Sequence, residues 1–66
     1  MMIEVNGRAK EVPEGTTAGG LLDMLGHRAE VVAMEIDGKI CPRQIRDTTV
    51  LEAGQSVEIV SFVGGG

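Results

Sequence analysis

The sequence is almost free of aromatic residues: it has no Trp or Tyr and a single Phe, Phe62. Stacking of nucleic-acid bases on aromatic rings is therefore almost unavailable, and the net charge of −4 would repel a phosphate backbone. We accordingly expect no nucleic-acid partner. Without aromatic side chains, the core has to consist of Val, Ile, Leu, Met and Ala.

Cysteine and long apolar stretches are also scarce. Cys41 is the only cysteine, so it cannot form an intramolecular disulfide, and one thiolate falls short of the about four ligands of a structural zinc or iron–sulfur site. No segment approaches the ~18 apolar residues of a membrane span, and residues 1–4 have neither the basic region nor the apolar core of a signal peptide. We expect a cytoplasmic protein with no bound metal and no membrane partner.

The chain is also short, at 66 residues. It predicts a single domain, because a chain of this size buries only about 60% of its unfolded surface and leaves little room for a closed substrate cavity. Gly15 and Gly20 have the spacing of a phosphate-binding P-loop, but Leu21 and Leu22 stand where that motif needs Lys and then Ser or Thr. We therefore predict a turn and helix cap there, and no catalytic residue in the chain.

Four other side chains are candidate chemical groups. His27 has no second histidine or nearby cysteine, and Cys41 precedes a proline at the end of a strand-like run. Both fit structural or solvated positions better than a reactive site. Arg43 and Arg46 could form a small anion contact, although two arginines in a polar connection are usually solvated.

Local patterns predict one helix among several strands. Asn6-Gly7 and Asp37-Gly38 each separate strand-like runs and favour tight hairpin turns. Thr16 or Thr17 is the expected N-cap of a helix whose apolar face recurs at Ala18, Leu21, Leu22 and Leu25 and which ends at Gly26. A further strand is predicted at residues 31–36, with Val32, Met34 and Ile36 towards the helix. Other strands are predicted at 39–41 along an edge, briefly at 50–51, and at 56–62.

The last predicted strand has two different faces. Val57 and Ile59 form its core side, which places Glu58, Val60 and Phe62 on the opposite side. An aromatic residue on a non-core face is a candidate anchor for a partner, although single exposed apolar side chains are common. We expect loss of the Phe62 ring to weaken partner capture while leaving folding largely intact.

After this strand the sequence reads Val63-Gly64-Gly65-Gly66. Three successive residues without a Cβ can pass through a gap too narrow for side chains, and four extended residues reach roughly 13–14 Å. Such a segment suits entry into the active site of another protein. The alternative is an end that merely frays or is a remnant of expression.

The order of several short motifs resembles the ubiquitin-like sulfur-carrier family, in particular its thiamine-biosynthesis members. The resemblance rests on the chain length, on Gly65-Gly66, and on Met2-Ile3-Glu4-Val5-Asn6-Gly7, Gly15-Thr16-Thr17 with Leu21, Leu22 and Leu25, and Ile40-x-Pro42-Arg43. It implies an α+β protein with the β-grasp fold, in which a mixed sheet of four to five strands packs on one main helix and the terminal strands lie parallel. The domain would comprise residues 1–62, followed by a flexible glycine tail at 63–66.

The resemblance also implies a function. An E1-like adenylyltransferase, using ATP and magnesium, would adenylate the Gly66 carboxylate, and a cysteine desulfurase or another sulfur donor would convert it to a thiocarboxylate. Thiazole synthase would receive that sulfur. Gly64 and Gly65 would give access to the active site, and Val60, Phe62 and Val63 would contribute to partner binding. The chain itself would bind no cofactor and would be a carrier and co-substrate rather than an enzyme.

Alternatives remain at this point. The same carboxylate chemistry serves carriers for molybdopterin or cysteine biosynthesis, and a ubiquitin-like modifier would form an amide through Gly66. An interaction module with idle glycines is a third reading. The family pattern usually has two terminal glycines, whereas this chain has three, so Gly64 stands where many members of the family are expected to have a larger residue.

Overall fold

The computed structural model describes residues 1–62. In this part of the chain, five strands form one mixed sheet and a single α-helix packs on it. The elements follow in the order β1 (Met2–Val5), β2 (Arg8–Glu11), α1 (Ala18–Leu25), a first 3₁₀ helix (Ala29–Val31), β3 (Val32–Ile36), β4 (Lys39–Ile40), a second 3₁₀ helix (Arg43–Thr48) and β5 (Ser56–Ser61). The predicted sheet on one main helix is confirmed.

The order of the strands across the sheet is β2-β1-β5-β3-β4. β1 and β5 run parallel, with Glu4 opposite Ser56 and Val5 opposite Val57, whereas β3 is antiparallel to β5. The parallel pairing of the terminal strands, which the family resemblance implies, is confirmed. β4 lies at an edge and pairs with β3, as predicted.

Both tight turns have the backbone conformation that their sequences favour. Asn6 and Gly7 have φ angles of 50° and 82°, and Asp37 and Gly38 have φ angles of 51° and 82°. Positive φ at both central residues is the requirement of a type I′ turn, whose twist matches that of the flanking strands. The two turns therefore fix the register of the β1–β2 and β3–β4 hairpins.

The helix α1 begins and ends where the sequence predicts. Thr17 is its N-cap, because its Oγ1 accepts a hydrogen bond of 3.0 Å from the Gly20 N–H. At the other end Gly26 has a φ of 77°, and the His27 N–H donates to the Leu22 carbonyl at 2.9 Å. Both ends of the helix thus have partners for main-chain groups that lack one within the helix.

One face of the sheet and one side of α1 enclose the core. The alternation predicted for β3 and β5 holds, since Met34, Val57 and Ile59 point inward and are buried. Their buried neighbours are Ile3, Val12, Ala18, Leu21, Leu22, Val32, Cys41 and Leu51. None of the buried residues among residues 1–62 is aromatic, because Phe62, the single aromatic residue in the sequence, is exposed.

The predicted strand at residues 50–51 is wrong. Val50 makes an isolated bridge to Thr17, and the Leu51 N–H donates to the Thr16 carbonyl at 2.9 Å. The pairing stops there because the chain enters α1 directly after Thr17. The prediction for 39–41 is one residue too long: Cys41 follows β4 and is buried.

The connection after β4 is expected from the sequence to be a solvated loop, and the structure differs from this expectation. It forms the second 3₁₀ helix, and Arg46 within it is only 5% exposed. The Arg46 guanidinium donates hydrogen bonds to the carbonyl oxygens of Cys41 at 3.2 Å, Ala29 at 3.1 Å and Val32 at 3.1 Å. The planar guanidinium has several N–H donors and can bind several carbonyl oxygens at once. Arg46 therefore connects the second 3₁₀ helix to the first 3₁₀ helix and to β3 through hydrogen bonds. Arg43 is exposed, as expected.

Candidate partner-docking face

The two sides of strand β5 differ in their exposure to solvent. Val57 and Ile59 are buried against the core, whereas Val60 is 57% exposed and Phe62, directly after the strand, is 68% exposed. The prediction that these two apolar side chains lie outside the core is confirmed. Their binding to a partner stays a prediction.

The neighbouring strands extend this apolar surface. Ala33 of β3 lies opposite Val60, and Ile40 of β4 lies opposite Glu35 of β3. Because directly opposite residues share a face of a sheet, all of these side chains are on the face turned away from α1. We call Ala33, Ile40, Val60 and Phe62 the docking patch.

Two carboxylates border the docking patch. Glu35 lies directly opposite Glu58 in the β3–β5 ladder, and both side chains are exposed. A groove of about 370 Å³ opens beside Glu35, and Ala33, Ile40, Arg43 and Phe62 are among the other residues that line it. The lining of the groove therefore combines apolar side chains with charges of both signs.

Main-chain and side-chain hydrogen bonds hold the end of β5 in place. The Phe62 N–H donates to the Val31 carbonyl at 2.7 Å. On the other side, the Asn6 side chain exchanges two hydrogen bonds with the main chain of Ile59. β5 is thus held on the β1 side as far as Ile59 and on the β3 side as far as Phe62.

The described part of the chain has neither a candidate metal cluster nor a candidate membrane-spanning helix. Among residues 1–62, no group of three or more His, Cys, Asp or Glu side chains could hold a metal ion, and none of the helices has the length and hydrophobicity needed to cross a bilayer. In the segment with P-loop spacing, the Asp47 carboxylate packs against Gly19 so closely that a Cβ there would collide with it. A phosphate at this helix end would meet that negative charge, which agrees with reading the segment as a cap.

The predicted site residues divide into two groups. Val60 and Phe62 are described and lie on one face of the sheet, whereas Val63, Gly64, Gly65 and Gly66 lie outside the described residues. Sequence reasoning missed Ile40. The tight turn at Asp37-Gly38 carried the signal, because a two-residue hairpin loop places Ile40 opposite Glu35.

The chain is similar to a known protein family and to two solved structures. A model of the ThiS family matches residues 2–66. The crystal structure of the thiamine biosynthesis protein ThiS from Geobacter metallireducens is similar over the whole of both chains, with 35% identity and a TM-score of 0.85. The solution structure of a thiamine biosynthesis protein from the same organism gives a TM-score of 0.83 over 88% of its chain.

Two similar curated proteins are much longer than this chain. The thiazole synthases of Magnetococcus marinus and Paramagnetospirillum magneticum are 38% and 32% identical over all 66 residues. The chain spans only about a fifth (20%) of the length of each. The uncharacterized protein ycf40 of Porphyra purpurea is closer in size, with 31% identity over 97% of this chain and 90% of its own.

These matches agree with the fold and with the resemblance drawn from the sequence. The family model covers nearly the entire chain, and the similar ThiS structure reproduces its sheet and helix at 35% identity. The chain belongs to the ThiS family, the family of ubiquitin-like sulfur carriers.

Proposed function

We propose that this chain carries sulfur for thiazole formation in thiamine biosynthesis, as a thiocarboxylate on Gly66. The observation that carries the proposal is the exposure of Val60 and Phe62 at the end of β5, directly before the segment 63–66, in a chain of the ThiS family. The ThiS and thiazole synthase relatives support the pathway. Catalytic groups would come from partner enzymes.

The proposed chemistry begins with the low reactivity of a carboxylate. A terminal carboxyl group has a pKa of about 3.3–3.7 and is an anion at neutral pH, which makes it a poor acceptor for a nucleophile. An E1-like adenylyltransferase would join the Gly66 carboxylate to AMP from ATP, with magnesium, and release pyrophosphate. The carbonyl carbon then has a good leaving group.

Sulfur enters in the second step. Attack by hydrosulfide on the acyl adenylate forms a carbon–sulfur bond, breaks the bond to AMP and leaves the thiocarboxylate without any oxidation or reduction. A persulfide from a cysteine desulfurase reaches the same product, but it first forms an acyl disulfide that a further thiol has to reduce. Gly64 and Gly65 would let the carboxylate enter the active site, and Val60, Phe62 and Val63 would hold the body of the carrier outside it.

The direct test is the mass of the protein. The chain ending at Gly66 is incubated with the E1-like enzyme, magnesium-ATP and sulfide, and the expected result is a mass gain equal to the exchange of one oxygen for sulfur. A chain lacking Gly66 and a reaction without ATP are the controls. An unchanged mass, with the enzyme active on another carrier, would overturn the proposal.

The acceptor is tested separately. The thiocarboxylated chain is expected to lose its sulfur to thiazole synthase and not to the large subunit of molybdopterin synthase. Conjugates in cell extract that survive reducing denaturation would instead indicate a protein modifier, because an amide to lysine resists thiols.

A further inference from the structure

The turn at Asn6-Gly7 is also a chemically reactive sequence. Asparagine is a labile residue, because the main-chain nitrogen of the next residue can attack the carbon of its side-chain amide. Glycine hinders this attack least, since it has no Cβ, and a Cβ built on Gly7 would meet no heavy atom within 4 Å other than those of its chain neighbours. Both residues are exposed, and Asn6 is the only asparagine in the sequence.

The fold binds this same amide to β5. Asn6 Oδ1 accepts a hydrogen bond of 2.8 Å from the Ile59 N–H, and Asn6 Nδ2 donates one of 3.3 Å to the Ile59 carbonyl. β5 lies on one side of β1, whereas Gly7 leads into β2 on the other side. The bound amide therefore points towards β5 and away from the side of β1 to which Gly7 leads.

We propose that Asn6 is a site of spontaneous deamidation and that its attachment to Ile59 controls the rate. The amide reacts only after it has left Ile59, when its carbon is free to turn towards the Gly7 nitrogen. Each detachment of this part of β5 from β1 thus gives the reaction an opportunity. The modification does not depend on the proposed sulfur chemistry.

The reaction needs only water. The Gly7 nitrogen loses its proton and forms a bond to Asn6 Cγ, the bond from Cγ to Nδ2 breaks, and ammonia leaves with that proton. Water then opens the cyclic imide at one of its two carbonyl carbons and leaves aspartate or isoaspartate at position 6. Nothing is oxidised or reduced.

Neither product restores the original contact. Aspartate has no donor for the Ile59 carbonyl when its carboxyl group is ionised. In isoaspartate the main chain runs through the former side chain and is longer by one carbon, so it no longer matches a two-residue type I′ turn. Deamidation therefore weakens the attachment of β5 to β1 in one direction only.

The test compares the rate of deamidation in the folded and the unfolded chain. The full chain is kept at mildly alkaline pH, in buffer or in guanidinium chloride above its unfolding transition, and peptide mapping by mass spectrometry follows aspartate and isoaspartate at position 6. We expect the folded chain to react at least about tenfold more slowly, because two hydrogen bonds have to break before the attack. Equal rates would overturn the proposal.

Two controls accompany this comparison. A short unstructured peptide with an Asn-Gly sequence, measured in both solutions, corrects for the effect of the denaturant on the chemistry. Asn6→Gly contains no asparagine, so it should show no mass gain equal to the exchange of NH for O. The same gain in this variant would place the reaction elsewhere and overturn the assignment to Asn6.

A matched pair of core variants tests whether Ile59 is the controlling contact. Ile59→Val and Leu51→Val each remove one methylene from a buried side chain, but only Ile59 lies on β5 and binds Asn6. We expect Ile59→Val to accelerate deamidation of the folded chain about two- to tenfold, and Leu51→Val to accelerate it less than about twofold. Equal acceleration would show that global unfolding controls the reaction, and no acceleration in Ile59→Val would also overturn the proposal.

The modified chain provides an independent readout. The isoaspartate form is separated from the unmodified chain by chromatography, and amide hydrogen exchange is measured at Ile59 in both. We expect exchange about tenfold faster in the isoaspartate form, because the acceptor of the Ile59 N–H is displaced. Equal exchange would contradict the claim that deamidation loosens β5.

Discussion

Asn6 pairs with Ile59 through both ends of its side-chain amide. The Ile59 N–H donates to Asn6 Oδ1 at 2.8 Å, and Asn6 Nδ2 donates to the Ile59 carbonyl at 3.3 Å. β1 ends at Val5, so the amide of Asn6 takes the place that the main chain of a longer β1 would occupy beside β5. One residue thereby forms the first turn and secures the strand that carries the docking patch.

Substitution of Asn6 tests this double role. Asn6→Asp retains an acceptor for the Ile59 N–H but replaces the Nδ2 donor with an oxygen that faces the Ile59 carbonyl, and we expect a loss of about 1–3 kcal/mol in unfolding free energy. Asn6→Gly keeps the positive φ at no steric cost and isolates the loss of both hydrogen bonds. Urea unfolding measures the cost, and amide exchange at Ile59 should accelerate in Asn6→Gly, which removes the acceptor of the Ile59 N–H. Unchanged exchange would contradict the assigned role.

The buried guanidinium of Arg46 is expected to be essential for stability. Arg46→Lys keeps the charge but cannot reach the carbonyls of Cys41, Ala29 and Val32 together, so we expect a loss of about 2–4 kcal/mol. A domain of this size has a net stability of only about 3–5 kcal/mol, and the variant should be partly unfolded at 37 °C by circular dichroism. Arg43→Lys, at an exposed position, is the matched control and should stay within about 0.5 kcal/mol of the unsubstituted chain.

The effect of Gly19→Ala on the free energy of unfolding is expected to depend on Asp47. In an isolated helix, Gly to Ala gains up to about 1 kcal/mol, but a Cβ at Gly19 would displace the Asp47 carboxylate from the first turn of α1, where a negative charge is favourable by about 0.3–1 kcal/mol. Gly19→Ala should therefore change the free energy of unfolding by less than its helix propensity predicts. In an Asp47→Ala background the full gain should return. Equal effects of Gly19→Ala in both backgrounds, measured by chemical denaturation, would contradict this coupling.

Phe62 should matter for binding and not for folding. Its ring is largely exposed, so Phe62→Ala should stay within about 0.5 kcal/mol of the unsubstituted chain in stability. Loss of an aromatic anchor typically weakens a complex by about tenfold or more, and calorimetry with the activating enzyme measures that loss. Met24→Ala removes a half-exposed apolar side chain from the helix and is the control. Equal affinity of Phe62→Ala and the unsubstituted chain would remove Phe62 from the docking patch.

Local signals account for what the sequence predicts well. Asn-Gly and Asp-Gly each determine a turn, a threonine and a glycine delimit the helix, and the two-residue period of β5 separates Val57 from Val60. These features depend on neighbours a few residues away. The exposure of Phe62 follows from the same period and needs no knowledge of the tertiary structure.

The features that the sequence does not predict depend on residues far apart in the chain. Arg46 is buried because it contacts the carbonyls of Ala29 and Val32, which lie 17 and 14 residues before it in the chain. The sequence pattern of a polar connection does not predict such a contact. The bridge at Val50 ends early because Thr17 opens the helix. The opposition of Glu35 and Glu58 likewise appears only when the register of β3 on β5 is known.

The central position of β5 has a consequence for the order of folding. This strand follows every other described strand in the chain, yet it joins the β1–β2 hairpin on one side to the β3–β4 hairpin on the other. Its parallel pairing with β1 brings together Glu4 and Ser56, and such distant pairing slows folding because a long loop has to close first. During synthesis the two hairpins therefore have no shared sheet until residues 56–61 emerge. The docking patch and the completed core form in the same late event, so the face proposed to bind a partner is absent until the chain has finished folding.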